Sequence, residues 1–439
     1  MDQTGLYRRF FKLTALNILA NITVPLVSLV DVGMLGHLPQ IHFLAGVALA
    51  SILFDYIYWT FGFLRMGTTG ITAQEMGKGD TPEVYRVLYR SLLLALGIAI
   101  FILIAYLPLR EAGFFLLSGA PEVEQAGRAY FDARIWGAPA ALCNFAFLGW
   151  YLGRERSDCA LFMTIIANAG NILLNYVFIM RMELAATGAG LASMLSQYLM
   201  LMVAVIMFLR LGQRGPLYWK EVMAQEKVLA LFKLNRDILL RTLCLISAFA
   251  VFINFSSVLG TQILAANAIL LRLLTFASYL IDGAAFATES LVGVLLGAGS
   301  SRSLNLLVKL ALRVGEAFAL LFLVILYVFS HQIFGLLTSH ADVLDLTVRY
   351  SGWLVPVLVF GAFAYIYDGL FLGATAGKPL RNWTIFSTVA VFLPVSLLGL
   401  YSGSNHLLWM ALVVFMVARA GTLWKASGPL LKPMQGESG

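Results

Sequence analysis

Apolar runs of about 20 residues recur from one end of this chain to the other, and no other feature constrains its fold as strongly. A helix of that length crosses the hydrocarbon core of a bilayer, where backbone polar groups must find their partners inside the element itself. Charged residues occupy only 12% of the 439 positions, whereas a soluble domain carries about 25%. The sequence therefore predicts an all-α polytopic membrane protein.

The apolar runs predict twelve transmembrane helices, six in each half of the chain. Their approximate limits are 11–36, 43–68, 84–107, 124–152, 158–180, 185–210, 228–258, 262–296, 304–329, 343–373, 381–401 and 405–427. With the N-terminus placed in the cytoplasm, 23 of the 30 lysines and arginines fall on the cytoplasmic side and five on the other. The positive-inside rule then predicts both termini in the cytoplasm. The same asymmetry accounts for the net charge of +7 without a nucleic-acid partner.

The two halves of the chain match each other at a constant offset of 220 residues, the difference between Thr68 and Thr288. The other residues that this offset aligns are Leu44-Ala45 with Leu264-Ala265, Gly77 and Gly79 with Gly297 and Gly299, Tyr130 with Tyr350, and Gly149, Leu152 and Gly153 with Gly369, Leu372 and Gly373. A single offset held so far along the chain predicts two pseudo-symmetric six-helix lobes in tandem, which is an architecture of transporters.

One long polar connection separates the two halves. We expect an N-terminal lobe at 1–211, a cytoplasmic linker at 212–227 and a C-terminal lobe at 228–439. The apolar residues Val222, Leu229 and Phe232 are spaced for an amphipathic helix on the inner membrane surface. A solvated linker is the alternative interpretation.

A single carboxylate, Asp31, lies inside the first apolar run, close to Pro25. A charge in hydrocarbon is costly, so a residue of this kind indicates function by default. At about 100° per residue, Asn17, Asn21 and Ser28 fall with Asp31 in an arc of roughly 80° on one helix face. The pattern predicts a carboxylate that exchanges a proton or an ion in a cavity between helices. The alternative is a structural aspartate that is hydrogen-bonded to a neighbouring helix.

Helices five and six carry polar stripes of the same kind. Their members are Thr164, Asn168, Asn171 and Asn175 on helix five, and Ser193, Ser196 and Gln197 on helix six. An asparagine amide both donates and accepts, so it can bond to either form of a carboxylate. We therefore expect the three stripes to share one pocket in the N-terminal lobe. Polar pairs that merely join helices are the alternative.

Acidic residues also occur in the apolar runs of the C-terminal half. Asp282 and Glu289 share one face of helix eight, Arg272 is near enough to compensate one of these charges, and Asp368 lies in helix ten. Buried carboxylates of this kind predict either a cation or proton site or a neutralised internal network with Arg272. The sequence leaves both interpretations open.

The sequence gives no support to an enzyme or a metalloprotein. It has no Walker A motif, no GxSxG motif and no pair of histidines at metal-binding spacing. The three cysteines have neither CxxC nor Cys/His spacing, so they predict neither a disulfide framework nor a metal site. The Asp282/Glu289 pair is the one feature on which an intramembrane enzyme would have to rest.

Two segments of the chain resemble a known family of transporters. The segments 25–38 and 63–74, together with Leu44-Ala45, resemble the multidrug and toxic compound extrusion (MATE) family. Within that family the chain is most similar to the branch of DNA-damage-inducible protein F, whose eighth helix the segment 282–293 resembles. The resemblance implies two six-helix lobes in a V shape. It also implies efflux of organic, often cationic or amphipathic, compounds in exchange for protons or sodium ions.

The resemblance also implies roles for individual residues. Asp31 matches the family's first-helix carboxylate, for which protonation coupled to bending of that helix is proposed. Asn171 matches a polar partner on helix five. Ser193 stands where a threonine is usual on helix six, and Tyr130 falls near a tyrosine of helix four.

The chain departs from the family pattern in both lobes. Asn175 stands where many relatives carry a second carboxylate, which leaves ion handling in the N-terminal lobe to Asp31. Asp368 is near the helix-ten acid of sodium-coupled relatives, but the helix-seven partner acid is missing and Asn254 stands in that span. These departures favour protons over sodium ions as the coupling ion.

Together, these observations predict a proton-driven antiporter of the bacterial inner membrane that has no enzymatic activity. Its substrate binds in a central cavity that opens to one side at a time, and protonation of Asp31 displaces the substrate outward. The expected partners are the bilayer and small organic compounds, and the expected state is a monomer. No cofactor is expected beyond the proton gradient.

Two alternatives remain within the transporter class. One is a sodium-coupled antiporter that uses the acids of the C-terminal lobe. The other is a flippase for lipid-linked amphiphiles, which a cavity lined with cationic residues would favour. The sequence offers only Arg65 and Arg272 for such a lining.

Overall fold

The computed structural model describes residues 3–36, 38, 40–117, 119–211, 218–338 and 340–431. In the first helix, the side chains at positions 26, 28, 29, 31 and 32 lie outside this description. The described residues form nineteen α-helices. They are α1 (Gln3–Gly36), α2 (Ile41–Phe61), α3 (Phe63–Lys78), α4 (Thr81–Ile104), α5 (Tyr106–Leu116), α6 (Pro121–Arg134), α7 (Ala138–Gly153), α8 (Ser157–Asn175), α9 (Ala185–Arg210), α10 (Trp219–Val222), α11 (Gln225–Leu259), α12 (Thr261–Gly297), α13 (Ser301–Val328), α14 (Ser330–Leu337), α15 (Ala341–Ser351), α16 (Leu354–Gly373), α17 (Gly377–Phe386), α18 (Leu393–Tyr401) and α19 (Asn405–Leu431).

The prediction of an all-α polytopic membrane fold is confirmed. Among the described residues, eleven helical stretches are long and apolar enough to cross a membrane. They correspond to the second to twelfth predicted spans, and α1 covers the first. Their lengths, from 20 to 38 residues, suit a hydrocarbon core of about 30 Å at a rise of 1.5 Å per residue.

Several predicted spans are interrupted. The fourth, predicted at 124–152, divides into α6 and α7 at a 3₁₀ turn over Ile135–Gly137. Pro139 lies in the first turn of α7, where it leaves no helical hydrogen bond unmade. The tenth, predicted at 343–373, divides into α15 and α16. A broken helix at membrane depth is a feature of transporter sites, because freed backbone groups are tolerated only in contact with protein or water.

Equivalent glycines let equivalent helices approach closely in the two halves. A Cβ atom at Gly369 of α16 would lie 2.5 Å from the carbonyl oxygen of Ala285 in α12. A Cβ atom at Gly149 of α7 would likewise lie against the carbonyl oxygen of Arg65 in α3. Both residues of the second pair precede those of the first by 220 positions. The offset of 220 residues in the sequence therefore also relates equivalent helix-packing contacts in the two halves.

A methyl group at Gly369 should destabilise the protein. We expect Gly369→Ala to cost about 1–3 kcal/mol, because the added carbon would meet a backbone oxygen that has no room to move. Gly421→Ala in α19 is the matched control, since a Cβ there meets nothing within 4 Å and replacing a helical glycine should stabilise by about 0.5–1 kcal/mol. Thermal unfolding in detergent measures both changes. A Gly369→Ala midpoint equal to or above that of Gly421→Ala would contradict the packing argument.

The contacts divide the chain into two compact units. One comprises residues 19–231, and the other comprises residues 1–18 with 232–439. The first residues of α1 belong with the C-terminal half because Asn17 donates a hydrogen bond of 3.3 Å to the carbonyl of Gly283 in α12. The absence of a side chain at Gly283 also admits Ile18. The division at 1–211, 212–227 and 228–439 stays a prediction.

The connection between the halves is not one continuous amphipathic helix within the part that the structure describes. Val222 of α10 is fully buried, whereas Leu229 and Phe232 of α11 are about half exposed, at 50% and 51%. The buried Arg90 of α4 accounts for this difference. It donates hydrogen bonds of 2.7 and 2.9 Å to the carbonyls of Val222 and Glu221, and so holds α10 against α4.

Candidate functional site

Asp31 lies on α1, six residues after Pro25, which is inside this helix. The side chains of Asp31 and Ser28 lie outside the described residues. The neighbouring stripe residue Asn17 is buried at 3% exposure and bonds to α12 rather than to the N-terminal half. The residues of the predicted stripe on α1 are therefore divided between the compact units, with Asn17 in one and Asp31 in the other.

The polar face of α8 meets α1. Asn168 donates a hydrogen bond of 2.9 Å to the hydroxyl of Thr23, eight residues before Asp31. One and two turns further along α8, Asn171 and Asn175 are buried at 6% and 1% exposure. The amide of Asn175 donates to the amide oxygen of Asn171 at 3.1 Å. The structure thus brings three of the predicted residues together on one face of α8, with the first bonded to the helix that carries Asp31.

The other two predicted residues of this lobe lie on different helices. Ser193 of α9 is half-buried, and its carbonyl accepts a hydrogen bond from the hydroxyl of Ser196. Tyr130 of α6 is buried, and its hydroxyl accepts hydrogen bonds from Ser51 of α2, at 3.4 Å, and from Arg134 of α6. Tyr130 therefore belongs to a second polar cluster, which is centred on Arg134.

Arg134 is a residue that sequence reasoning missed. The structure places it half-buried at the C-terminal end of α6. The centre of its guanidinium lies 4.5 Å from the ring centroid of Phe54 and 5.6 Å from that of Tyr58. The signal available in the sequence was Tyr130, which lies one turn before Arg134 on α6. Phe54 and Tyr58 lie on α2, and the sequence alone does not show that these two helices are neighbours.

A buried charge cluster lies in the other compact unit. Asp368 of α16 is buried at 5% exposure and pairs with two arginines. Arg419 of α19 donates to its Oδ2 at 2.6 Å, and Arg241 of α11 donates to the same oxygen. Both arginines are buried, at 1% and 6% exposure. This arrangement opposes a cation at Asp368, because two guanidinium charges already lie at hydrogen-bonding distance.

Compensation of the α12 acids by Arg272, one of two interpretations that the sequence left open, stays a prediction. Arg272 is exposed on α12, and no ion pair within 4.0 Å among the described residues includes it. Arg241 and Arg419 compensate Asp368, and sequence reasoning counted both among the residues of the cytoplasmic side. Their burial becomes visible only in the structure, where α11 and α19 bring both side chains to Asp368 of α16.

The remaining acids of the C-terminal half lie on α12. Asp282 is half-buried, and Glu289 is buried at 1% exposure beside the backbone of Gly373. The hydroxyl of Ser278, one turn before Asp282, donates to the carbonyl of Leu274 at 2.9 Å. Within the described part of the chain, no group of three or more His, Cys, Asp or Glu side chains is arranged to hold a metal ion.

A buried amide network also escaped the sequence analysis. Asn267 of α12 donates to the hydroxyl of Ser256 and to the amide oxygen of Asn405, at 2.8 and 2.7 Å. In return, Asn405 and the indole of Trp409 donate to the amide oxygen of Asn267, at 3.1 and 2.9 Å. Since the central amide has both its donor and its acceptor sides engaged, the network joins α11, α12 and α19 and leaves no group for a ligand.

The fold is that of a transporter of the MATE type. A family model described as MatE matches residues 17–177 and, a second time, residues 238–398. The chain therefore belongs to the MatE family. The double match agrees with the internal repeat, and the predicted architecture of two six-helix lobes is confirmed.

Individual relatives give the same family. DNA damage-inducible protein F of Escherichia coli is 34% identical over 413 residues, which cover 92% of this chain and 88% of that protein. The multidrug resistance protein NorM of Aliivibrio fischeri is 25% identical over 354 residues, which cover 77% of this chain and 75% of that protein. The predicted branch of the family is therefore confirmed.

Solved structures share the fold. A MOP superfamily transporter from Pyrococcus furiosus superimposes with a TM-score of 0.88 at 20% identity, over 97% of this chain and 96% of that one. A crystal structure of a MATE protein in complex with MaD3S gives a TM-score of 0.87 at 21% identity, over 98% and 97% of the two chains. Family and fold are thus those of transporters rather than enzymes.

Proposed function

We propose that this protein is a proton-driven antiporter that exports organic, often cationic or amphipathic, compounds by alternating access. Asp31 is the proton-linked carboxylate, Asn168, Asn171 and Asn175 of α8 are its polar surroundings, and Ser193 and Tyr130 are further coupling residues of the same lobe. Proton and substrate need only favour different states of one site for the two fluxes to be coupled.

One observation carries the choice of ion, namely the double arginine pairing of Asp368. Sodium-coupled transport through the C-terminal half would need Asp368 to receive a cation. Two guanidinium groups on this carboxylate oppose that, because a further positive charge would be repelled at close range. Without Asp368, only Asp282 and Glu289 remain as auxiliary ion candidates in this half. The proton mechanism needs none of these residues, because it requires one carboxylate that gains and loses a proton. Asp31, the only acid of α1, supplies that carboxylate.

The location and partners follow from the same proposal. The distribution of lysine and arginine favours the bacterial inner membrane with both termini in the cytoplasm. The names of the relatives, multidrug resistance protein NorM and multidrug and toxin extrusion protein 1, support small organic compounds as the substrates. The protein acts as a monomer in this proposal, and it needs no cofactor other than the proton gradient.

Proteoliposomes test the coupling ion directly. Purified protein is reconstituted, and efflux of a fluorescent organic cation is followed under a pH gradient alone and under a sodium gradient alone. We expect efflux with the pH gradient and none with the sodium gradient. A response to sodium alone would overturn the proposal and would move the ion site towards Asp282 and Glu289.

A further inference from the structure

The membrane-spanning helix α13 carries all of its basic residues on one face. They are Arg302, Lys309 and Arg313, and each of them is exposed. At about 100° per residue, their positions fall within an arc of roughly 40° around the helix. The first and the last are about 17 Å apart along the axis, at a rise of 1.5 Å per residue. The three side chains therefore form a single row, which we call the basic stripe.

The face that carries the basic stripe continues as an apolar surface. Leu320, Val324 and Tyr327 are exposed, and they lie within roughly 60° of the three basic residues around the helix. An exposed apolar row on a helix that is long enough to cross the membrane suits contact with acyl chains. The basic stripe therefore faces the bilayer.

The depth of the basic stripe follows from the length of α13. Tyr327, near the far end of the helix, suits the interfacial layer in which tyrosines are enriched. Twenty residues of helix span about 30 Å, the thickness of a hydrocarbon core, so the opposite edge lies near Leu307. Lys309 and Arg313 then lie about 3 and 9 Å inside that edge, and Arg302 lies in the headgroup layer.

The direction of the helix lets these side chains reach the membrane surface. Side chains of an α-helix lean towards its N-terminus, and α13 begins at the edge that carries the basic stripe. The long stems of Lys309 and Arg313 can therefore lie along the apolar surface while their charged groups reach headgroup level. The proposed topology places this edge on the cytoplasmic side.

The protein does not compensate the charges of the basic stripe. Within the described ranges of the chain, no ion pair within 4.0 Å and no side-chain hydrogen bond includes Arg302, Lys309 or Arg313. Glu316, the only acid of α13, lies three residues beyond Arg313, and its Oε1 is enclosed without a hydrogen-bond partner. The buried Arg241 and Arg419 differ, because they share Asp368. Three unpaired cations at the edge of the hydrocarbon core leave a place for negative charge from outside the protein.

The start of α13 is anchored beside the basic stripe. The side-chain amide of Asn305 donates a hydrogen bond of 2.8 Å to the carbonyl of Leu431 in α19. Asn305 lies one turn after Arg302 and about 60° from it around the helix. The basic stripe is therefore held in a fixed position next to the last turn of α19, which lowers the entropic cost of binding a ligand there.

We propose that the basic stripe is a binding site for one anionic phospholipid. Its phosphate group accepts hydrogen bonds from Lys309 and Arg313, and its acyl chains lie along Leu320 and Val324. A guanidinium suits a phosphate because charge and hydrogen-bond geometry match, and basic side chains at this depth on the cytoplasmic side are suited to lipid headgroups. The site goes beyond the proposed transport function and does not depend on the coupling ion.

Lipid binding to the purified protein tests the site without any ion gradient. Delipidated protein in a non-ionic detergent is titrated with phosphatidylglycerol or with phosphatidylcholine of the same acyl chains, and native mass spectrometry counts the bound lipid. We expect wild type to bind phosphatidylglycerol at least about tenfold more tightly. In the triple variant Arg302→Gln, Lys309→Gln, Arg313→Gln, the two affinities should agree within about twofold.

A second triple variant separates the basic stripe from the overall charge of the protein. It removes the same charge from three exposed residues on α1, α9 and α17, as Lys12→Gln, Arg210→Gln and Lys378→Gln. This control should keep the wild-type preference, since none of its residues belongs to α13. If the stripe variant does not fold, Arg313→Gln alone should weaken phosphatidylglycerol binding about fivefold.

Three results would overturn the proposal. The first is equal affinity of wild type for the two lipids. The second is an equal loss of preference in both triple variants, which would indicate diffuse attraction by net charge. The third is displacement of phosphatidylglycerol by glycerol 3-phosphate at equal concentration, which would assign the basic stripe to a soluble anion. Because binding is measured at equilibrium, each result is independent of efflux in proteoliposomes.

Discussion

Replacing Asp31 with asparagine is expected to abolish proton-driven efflux. Asparagine preserves the size and most of the hydrogen-bonding capacity of aspartate, but it does not gain or lose a proton. α1 contains no second acid that could take over, and the position of the second family carboxylate is occupied by Asn175. We therefore expect efflux in Asp31→Asn proteoliposomes under a pH gradient to fall to the level of protein-free vesicles.

The matched control for this variant is Asp345→Asn, at an exposed aspartate of α15. Its efflux should equal that of wild type, since the side chain is distant in sequence from every residue assigned to the site. Substrate binding to Asp31→Asn in detergent should weaken, because the substitution mimics the protonated carboxylate, whose formation displaces the substrate in this mechanism. Efflux by Asp31→Asn at the wild-type rate would refute the mechanism.

The Asp368→Asn substitution is expected to cause the largest loss of stability. The wild-type carboxylate compensates two buried guanidinium groups, on Arg241 and Arg419. Removing one partner of a buried ion pair typically costs about 3–5 kcal/mol, because the remaining charge is left uncompensated away from water. Here two charges are left, so we expect a value at the upper end. Thermal unfolding of the detergent-solubilised protein measures it, and Asp345→Asn should lie within about 0.5 kcal/mol of wild type.

A triple variant separates uncompensated charge from lost packing. In Asp368→Leu with Arg241→Met and Arg419→Met, all three charges are replaced by apolar side chains. Apolar replacements of buried ion pairs are often neutral or stabilising, so we expect the triple variant to recover most of the loss. If Asp368→Asn unfolds at the wild-type midpoint, the cluster does not hold α11, α16 and α19 together and Asp368 returns as an ion candidate.

The candidate site illustrates how far sequence patterns reach. The polar stripe on helix five was predicted from spacing, and the structure places Asn168, Asn171 and Asn175 on one face of α8, with Asn168 bonded to α1. Such stripes are readable because one helix fixes the directions of all its side chains. Tyr130 and Arg134 were not readable together as a cluster, because their partners Ser51 and Phe54 come from α2, about 80 residues away.

The sequence by itself determined the membrane-spanning helices, the tandem repeat and the family, because span length, composition and a constant offset are properties of contiguous residues. The tertiary structure alone decided which charges meet. Arg241 and Arg419 find Asp368 across 127 and 51 residues of chain, and Arg272, close to the acids of its own helix, does not take that role. Partner choice of this kind depends on which helix faces pack together, and the cost of an uncompensated charge in an apolar interior makes that choice strict.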